Sequence, residues 1–253
     1  MNNYQLIPKI IHYCWLSNDE VPESLQRYMG TWKTLLPDYE FVHWNFERFD
    51  KDSSVWVKEA FDAKKYAFAA DLIRCYALYN YGGIYLDMDV EVIKSFDDLL
   101  HLPYFICKEK NAPIEAAVIA AEKHHPLFEK MMNYYHDRHF ILADGSYDTR
   151  TLPRIMDETI NKYFTEKHIT NLEEFDYNPN VISIFSSDWF SPKSYKDGKI
   201  CLTDNSYTIH HFASSWHGSK EKLYNLTRKI VGEKIAHNIS LSYKSIRRIL
   251  KCK

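Results

Sequence analysis

The sequence predicts an α/β fold with a mixed, mostly parallel central sheet flanked by helices. Over about the first ninety residues, apolar strand-like runs alternate with segments whose apolar residues recur at helical spacing. Alternation of this kind is typical of parallel strands joined by helices. The chain has 253 residues, of which 45% are hydrophobic and 15% aromatic, enough to build one sizeable core.

The first half of the chain contains the clearest pattern of elements. Pro37 ends the first predicted helix, Ser53-Ser54 can cap the second, and Gly82 ends the third because glycine adopts a positive φ without strain. This order, strand, helix, strand, helix, strand, is the pattern of one half of a nucleotide-binding α/β fold. The expected elements are strand 10–15, helix 22–36, strand 39–44, helix 55–61, helix 66–81 and strand 84–90.

The second half is less regular, and its predicted elements are strands 105–107, 116–120, 181–185 and 207–212 and helices 126–135 and 151–164. No repeat or low-complexity linker interrupts them, so residues 1–216 are expected to form one catalytic domain. The tail, 217–253, has ten Lys and Arg against two acids, with apolar residues interleaved. It predicts a basic amphipathic helix suited to an anionic membrane surface, with a solvated packing helix as the alternative.

Composition excludes several classes of protein. The formal net charge of −2 indicates no nucleic-acid partner. The five cysteines show no C-x-x-C spacing, so neither a zinc site nor a disulfide framework is indicated. No apolar run approaches the ~18 residues that cross a bilayer. A cytoplasmic location is therefore expected, peripheral on the inner face of the cell membrane if the basic tail binds lipid.

Two carboxylates one residue apart are the strongest functional signal. Asp87 and Asp89 follow the glycine pair at 82–83 and the apolar run 84–86. Acids at the end of an apolar strand are costly to desolvate unless they hold a cation, usually a divalent one. The period of two along this strand places Tyr85, Asp87, Asp89 and Glu91 on one face, so both aspartates can point at one ligand. The sequence therefore predicts a metal-dependent site that handles phosphate.

The preceding helix carries a second charged pair. Asp71 and Arg74 are three residues apart and so share one helix face. A surface ion pair of this kind is worth ~0.3–0.5 kcal/mol. Because the neighbouring positions are apolar or small, a ligand or a buried partner is the favoured interpretation.

Three motifs resemble glycosyltransferase family 32, which includes DXD-motif capsular-polysaccharide transferases and the initiating mannosyltransferase of yeast. The glucosyltransferase domain of the large clostridial toxins carries a related pattern. The motifs, in the family's order, are Ile7–Trp15, Ala70–Arg74 with Tyr81–Asp89, and Ile209–Trp216. The chain departs from the family at Ser17-Asn18, where a glycine is common, and at Asp144-Gly145, where glycine-proline is common.

This resemblance implies a GT-A-type fold and a retaining hexosyltransferase activity. A hexose or N-acetylhexosamine would move from a sugar nucleotide to a growing surface glycan of the capsular-polysaccharide or O-antigen type, or to a lipid-linked saccharide. The implied cofactors are Mn²⁺ or Mg²⁺ and a sugar-nucleotide donor, with a UDP-sugar favoured over a GDP-sugar.

The resemblance also implies residue roles. Asp89 would ligate the metal, Asp87 would reach the metal and the ribose, and His211 would be the third ligand, with His210 as the second choice. Asp71 and Arg74 would bind donor hydroxyls and phosphate. Further donor contacts would come from Trp15, Tyr85, Ser214 and Trp216, and Asp144 is a candidate on the acceptor side.

Two rival interpretations stay open on the sequence alone. Residues 86–90 also fit the first motif of haloacid-dehalogenase-type phosphatases, in which Asp87 would be the nucleophile and Asp89 the acid. That motif usually opens a chain, whereas some eighty residues precede it here. The other alternative is a non-catalytic carbohydrate-binding subunit of a polysaccharide assembly complex.

Overall fold

The computed structural model describes residues 5–110 and 112–213. In chain order the elements are β1 (Ile10–Cys14), α1 (Glu23–Leu35), β2 (Glu40–Trp44), α2 (Val55–Asp62), α3 (Tyr66–Tyr81), β3 (Gly83–Leu86), β4 (Val90–Val92), β5 (Tyr104–Phe105), β6 (Val118–Ala121), α4 (Pro126–Tyr135), α5 (Leu152–Tyr163), β7 (Thr165–Ile169), β8 (Val181–Phe185) and β9 (Thr208–His210). The predicted basic tail and the domain boundary at 216 lie outside the described residues.

A five-stranded sheet in the order β2-β1-β3-β6-β5 forms the centre of the fold. β1 is parallel to β2 and β3, whereas β6 is antiparallel to β3 and β5. Four of the five strands therefore run in one direction and β6 alone is reversed within this sheet. The predicted fold class, a mixed, mostly parallel α/β sheet flanked by helices, is confirmed. Two smaller ladders join β4 to β9, antiparallel, and β7 to β8, parallel.

Helix α3 lies against the sheet and positions much of the site. It contacts β1, β3 and β6, and its side chains are mostly buried. It ends at Gly82, whose φ is +67°, and a Cβ there would lie 2.8 Å from the Lys123 backbone nitrogen. Only glycine fits both the backbone conformation and the space. The sharp end allows β3 to begin at once and places the predicted helix 66–81 directly beside the acidic motif.

The predicted continuous strand 84–90 is wrong. β3 ends at Leu86, and residues 87–89 form a turn in which Val90 N donates to Asp87 O at 3.0 Å. β4 then leaves the central sheet and pairs with β9. Helix α1 holds β4 in place, since the Trp32 indole donates to Val90 O at 2.7 Å. The local alternation of apolar residues could not reveal this change of partner.

Several local expectations are confirmed and one strand was not predicted. The Ser54 hydroxyl accepts from Val57 N and caps α2, and Pro126 begins α4. Strand β7, with the sequence TEKHI, is largely polar and gives no strand signal of its own. It forms because it pairs in parallel with the apolar strand β8. Among the described residues, none of the helices is both long and apolar enough to span a bilayer.

Two buried histidines brace this fold in their neutral form. His12 Nε2 donates to Gly82 O at 2.8 Å, and the Trp44 indole donates to His12 Nδ1 at 3.1 Å. His125 caps α4, where its Nδ1 accepts from Leu127 N. Burial lowers the pKa of each imidazole to about 4. Each histidine therefore resists protonation in the folded protein.

We expect His12 and His125 each to contribute less stability to the fold as the pH is lowered from 6.5 to 4. The unfolded imidazoles bind protons near pH 6.5, whereas the folded ones do so only near pH 4, so protons favour unfolding in this window. The cost is about 3 kcal/mol for each histidine at pH 4. Urea unfolding between pH 7 and 4 measures it. Relative to the wild type, His12→Gln should remove about 3 kcal/mol of the loss of stability between pH 6.5 and pH 4, whereas His136→Gln, at an exposed histidine, should leave that loss unchanged.

Candidate active site

Two carboxylates and one imidazole converge beside the end of β3. Asp87 and Asp89 come from the turn between β3 and β4, and His210 ends β9. One ligand atom of each residue lies within 4.8 Å of the other two. The β4–β9 ladder causes this convergence, because its register pairs Val90 with His210. Residues about 120 positions apart in the sequence thus meet at one point.

The position of His210 corrects the preference for His211. His210 Nε2 lies 3.4 Å from Asp89 Oδ1. The next imidazole belongs to a separate cluster, in which His211 Nε2 lies 2.7 Å from Glu91 Oε2 and its ring stacks on Tyr28 at 4.4 Å. Adjacent residues of an extended segment point to opposite sides, so both histidines cannot face the acids. The second choice, His210, is the residue that the geometry favours.

A buried carboxylate that the sequence analysis missed lies behind His210. Glu115 Oε2 is 3.0 Å from His210 Nδ1, and the Glu115 side chain is only 4% exposed. Burial opposes the charge on His210, yet Glu115 and Asp89 together hold the pKa of His210 well above its usual value. The pKa of Glu115 is lowered despite its burial, because His210 stabilises the carboxylate. A lone acid in the otherwise apolar run 114–121 was the available signal.

Arg74 is the buried cation of the site and links α3 to the acidic turn. Its Nη2 lies 2.9 Å from Asp87 Oδ1 and 3.8 Å from Asp71 Oδ1, and its Nη1 donates to Ala116 O. The guanidinium is 4.2 Å from the Tyr85 ring centre. Since the Arg74 side chain is only 7% exposed, the interpretation as a surface ion pair is wrong. The buried-partner interpretation is the one that the structure supports.

Burial shifts the two carboxylates that flank Arg74. It raises the pKa of Asp71 to about 7, with the Arg74 charge opposing and the Asp87 charge adding to the shift. It also raises the pKa of Asp87, again against the effect of Arg74. A bound cation would favour the ionised forms of both acids. The site is therefore electrostatically suited to a positively charged ligand.

Tyr85, a predicted contact of the sugar-nucleotide donor, and Asp144, the candidate on the acceptor side, both lie in surroundings that differ from those expected. Tyr85 is buried beneath Arg74, so it supports the guanidinium and is not exposed to a ligand. Asp144 is exposed, and its carboxylate accepts from the backbone nitrogen and hydroxyl of Ser146. No described contact of Asp144 reaches the acidic turn. Ser214 and Trp216 lie outside the described residues.

Trp15 and a surface cleft lie at the same edge of the sheet. β1, β2 and β3 are parallel, so Trp15, Trp44 and Leu86 mark their shared carboxyl edge. Ligands of α/β sheets gather at such an edge. Trp15 is half-buried, and its indole donates to Asp19 O at 2.7 Å. A cleft of about 440 Å³ beside the end of β2 is lined by His43, Asn45, Glu47 and Arg48.

The acidic turn and α3 lie in a segment of the chain that matches a known sequence family. Residues 22–106 match the family described as "Glycosyltransferase sugar-binding region containing DXD motif". This part of the chain is therefore similar to DXD-type glycosyltransferase regions. Asp87-Met88-Asp89 has the DXD pattern that this description names, and Asp71 and Arg74 lie within the same matched segment. His210 and Glu115 lie beyond its matched end.

Curated relatives share this DXD-type region. The chain is 37% identical over 132 residues to inositol phosphoceramide mannosyltransferase 3 of Schizosaccharomyces pombe, covering 49% of this chain and 36% of that protein. It is 35% identical to mannosyl phosphorylinositol ceramide synthase CSH1 of Saccharomyces cerevisiae, covering 51% of this chain and 35% of that protein. The chain thus spans about a third of the length of these relatives.

A longer match and a solved structure extend beyond the DXD-type region. The glycosyltransferase L373 of Acanthamoeba polyphaga mimivirus is 27% identical and covers 83% of this chain and 84% of its own length. A solved glycosyltransferase involved in glycosylation of the major capsid of PBCV-1 is 12% identical and covers 84% of this chain and 96% of its own, with a TM-score of 0.46.

Proposed function

We propose that this protein is a divalent-metal-dependent glycosyltransferase that moves a hexosyl group from a sugar nucleotide to a glycan or lipid-linked acceptor. The observation that carries the proposal is the convergence of Asp87, Asp89 and His210 within 4.8 Å of one another. Two of these three residues are the DXD motif of the matched region. The combination of metal-ligand geometry and family motif points to this function more directly than either alone.

The three side chains of the cluster are suitable ligands for a cation such as Mn²⁺ or Mg²⁺. Carboxylate oxygens suit these ions, and one imidazole nitrogen is compatible with the softer of the two, Mn²⁺. When bound, such a cation stabilises the negative charge that develops on a departing diphosphate. Asp87, Asp89 and His210 would hold it. Both acids come from one turn, so their spacing is set by the local backbone.

Asp71 and Arg74 are suited to the donor sugar. Among the described residues, Arg74 at 3.8 Å is the charged partner of Asp71, and no described donor hydrogen-bonds its carboxylate. Its oxygens can therefore accept hydrogen bonds from sugar hydroxyls. Arg74 Nε is buried without a hydrogen-bond partner in the described part of the chain. A buried polar atom of this kind is costly unless a ligand satisfies it.

The carboxyl edge of β1 and β2 is suited to the nucleoside. Trp15 supplies an aromatic ring there, and the cleft at 43–48 offers both donors and acceptors. This arrangement would place the base near β2 and the diphosphate near the acidic turn. The predicted preference for a UDP-sugar over a GDP-sugar stays a prediction.

The stereochemistry and the acceptor are also part of the proposal. We expect retention at the anomeric carbon, with positioning and electrostatic stabilisation as the main sources of catalysis. The relatives are named for mannosyl transfer to inositol phosphoceramide, so mannose and an inositol-phosphate lipid are the first pair to test. Capsular or O-antigen-type glycans are the second acceptor class. A cytoplasmic location, peripheral on the membrane, completes the proposal.

The phosphatase alternative gains no support from the geometry. Asp87, which would be its nucleophile, is held by buried Arg74 at 2.9 Å. That ion pair restrains the carboxylate and lowers its nucleophilicity. The alternative predicts release of phosphate from p-nitrophenyl phosphate without any sugar nucleotide, and this outcome would contradict our proposal.

We expect one sugar nucleotide to stabilise the full chain, and to do so only with a divalent cation. The panel is UDP-glucose, UDP-galactose, UDP-N-acetylglucosamine and GDP-mannose, each with Mn²⁺, with Mg²⁺ and with EDTA. A donor at about 100 times its dissociation constant stabilises the folded state by about 2.7 kcal/mol. Thermal unfolding and donor hydrolysis are the measurements. If no sugar nucleotide shifts the melting temperature with either metal, the proposed function is wrong.

A further inference from the structure

A buried carboxylate supports His210 from the side opposite Asp89. His210 Nδ1 lies 3.0 Å from Glu115 Oε2, and His210 Nε2 lies 3.4 Å from Asp89 Oδ1. The imidazole thus bridges two acids, one deep in the core and one in the DXD turn. Glu115 contacts the other ring nitrogen of His210 and is not one of the three residues of the metal-ligand cluster.

Each carboxylate oxygen of Glu115 also accepts a hydrogen bond from another buried group. Its Oε1 accepts from Ala117 N at 2.8 Å, and its Oε2 accepts from the Ser191 hydroxyl at 2.7 Å. Both contacts come from buried groups, so the carboxylate cannot rotate without losing hydrogen bonds. Glu115 is therefore a fixed acceptor, and the imidazole must present an N–H to it.

This contact decides which nitrogen of His210 faces the acidic turn unprotonated. Both neighbouring carboxylates accept and do not donate, but Glu115 is fixed and nearer, at 3.0 Å against 3.4 Å for Asp89, so the proton of a neutral His210 resides on Nδ1. Nε2 then directs a lone pair toward Asp89 Oδ1. Two acceptor atoms 3.4 Å apart repel each other unless a proton or a metal cation lies between them. The arrangement is the one found where a carboxylate orients a metal-ligating histidine.

We propose that Glu115 is a positioning residue, which holds His210 in the Nδ1–H tautomer and aims Nε2 at a divalent cation shared with Asp87 and Asp89. This inference rests on the proposed function, because it presumes that the cation binds there.

The backbone next to Glu115 strengthens the inference. Ala116 O accepts from Arg74, and Ala117 O accepts from Asp87 N at 2.9 Å. Residues 115–117 therefore contact His210, Arg74 and Asp87 within three consecutive positions. One short segment ahead of β6 sets the position of both the imidazole and the first acid of the DXD motif.

The chain offers a matched control for the Glu115 variant. Like Glu115, Glu59 accepts two hydrogen bonds besides its contact with an imidazole. Its donors are the backbone N–H groups of Phe140 and Ile141, and Glu59 Oε1 lies 2.7 Å from His139 Nδ1. The acid–imidazole chemistry is the same, but His139 is exposed and is not part of the metal-ligand cluster. Glu59→Gln thus tests the general effect of removing such a charge.

The experiment measures Mn²⁺ affinity of the full chain by electron paramagnetic resonance of the free ion. We expect Glu115→Gln to weaken Mn²⁺ binding by 10- to 100-fold, the usual effect of removing such an orienting group. Glu59→Gln should bind within about twofold of the wild type. A folded Glu115→Gln protein with wild-type Mn²⁺ affinity would overturn the proposal. A wild-type protein that binds no Mn²⁺ would instead contradict the proposed function itself.

A second measurement needs no substitution at Glu115. Long-range ¹H–¹⁵N spectra of the wild-type protein with Mg²⁺ report the tautomer of His210, which His210→Gln assigns by loss of its signals. We expect a proton on Nδ1 and none on Nε2. A proton on Nε2 in the presence of Mg²⁺ would overturn the proposal even if Glu115→Gln fails to fold.

Discussion

Replacing Asp89 with asparagine is expected to reduce sugar transfer by at least about 10³-fold, equivalent to about 4 kcal/mol of transition-state stabilisation. Asparagine has nearly the same shape but removes the negative charge nearest His210 Nε2, 3.4 Å away. The cation would then lose one of its two carboxylate ligands. Donor hydrolysis and transfer rates at saturating Mn²⁺ measure the loss. The stability gained from donor and Mn²⁺ together should also disappear.

The neighbouring acid provides the control for Asp89. Glu91 lies two residues further on and pairs with His211 at 2.7 Å, just as Asp89 lies beside His210. Glu91→Gln removes the same charge from the same strand region but outside the cluster. We expect it to retain transfer within about fivefold of the wild type. Equal losses for both variants would show that general electrostatics, and not metal ligation, explains the effect.

Replacing Arg74 with methionine is expected to destabilise the fold by roughly 3–5 kcal/mol, the usual result of removing one partner from a buried ion pair. Among the described residues, Arg74 is the cation that faces both Asp71 and Asp87, and it also donates to Ala116 O. Without it, the buried carboxylate of Asp71 and the partly buried carboxylate of Asp87 lose their counter-charge. Urea unfolding at pH 7 measures the change.

Two further variants separate burial from charge at Arg74. Arg154 forms an exposed i,i+4 pair with Glu158 at 2.8 Å, so Arg154→Met should cost at most about 0.5 kcal/mol. Arg74→Lys keeps the positive charge but replaces the planar fork with one ammonium, and it should fall between wild type and Arg74→Met. If Arg74→Met unfolds at the same urea concentration as the wild type, the charge of Arg74 does not stabilise Asp71 and Asp87.

Helix α3 shows what local sequence reasoning does well. Its range, 66–81, and its stop at Gly82 were predicted and are confirmed. The shared face of Asp71 and Arg74 follows from the helical repeat alone, and the structure buries both residues. These features depend on spacing within a single element, so no knowledge of distant partners is needed.

The turn at 87–89 and the choice of histidine show where such reasoning fails. Period-two alternation predicted one strand through Val90, yet Val90 begins a ladder with β9, about 120 residues away along the chain. That ladder decides that His210 faces Asp89 and that His211 faces Glu91. Local pattern cannot distinguish two adjacent histidines whose orientation depends on a partner strand.

Glu115 was missed for a related reason. Its role depends on contacts with His210 and Ser191, which lie 95 and 76 residues away. A single acid in an apolar run signals only that some partner must exist, because an uncompensated buried charge is costly. The identity of that partner becomes visible only when the chain is folded.

The sequence by itself determined the α/β class, helix α3, the Asp87-Met88-Asp89 pattern and the shared face of Asp71 and Arg74, because each depends on composition or on spacing along a few turns of chain. The tertiary structure decided which histidine faces the acids, which acid supports it, and that Tyr85 lies beneath Arg74. Those choices depend on strand pairing and on buried contacts between segments that are far apart in the sequence. The free energy of such a contact depends on both partners, and no local pattern relates them.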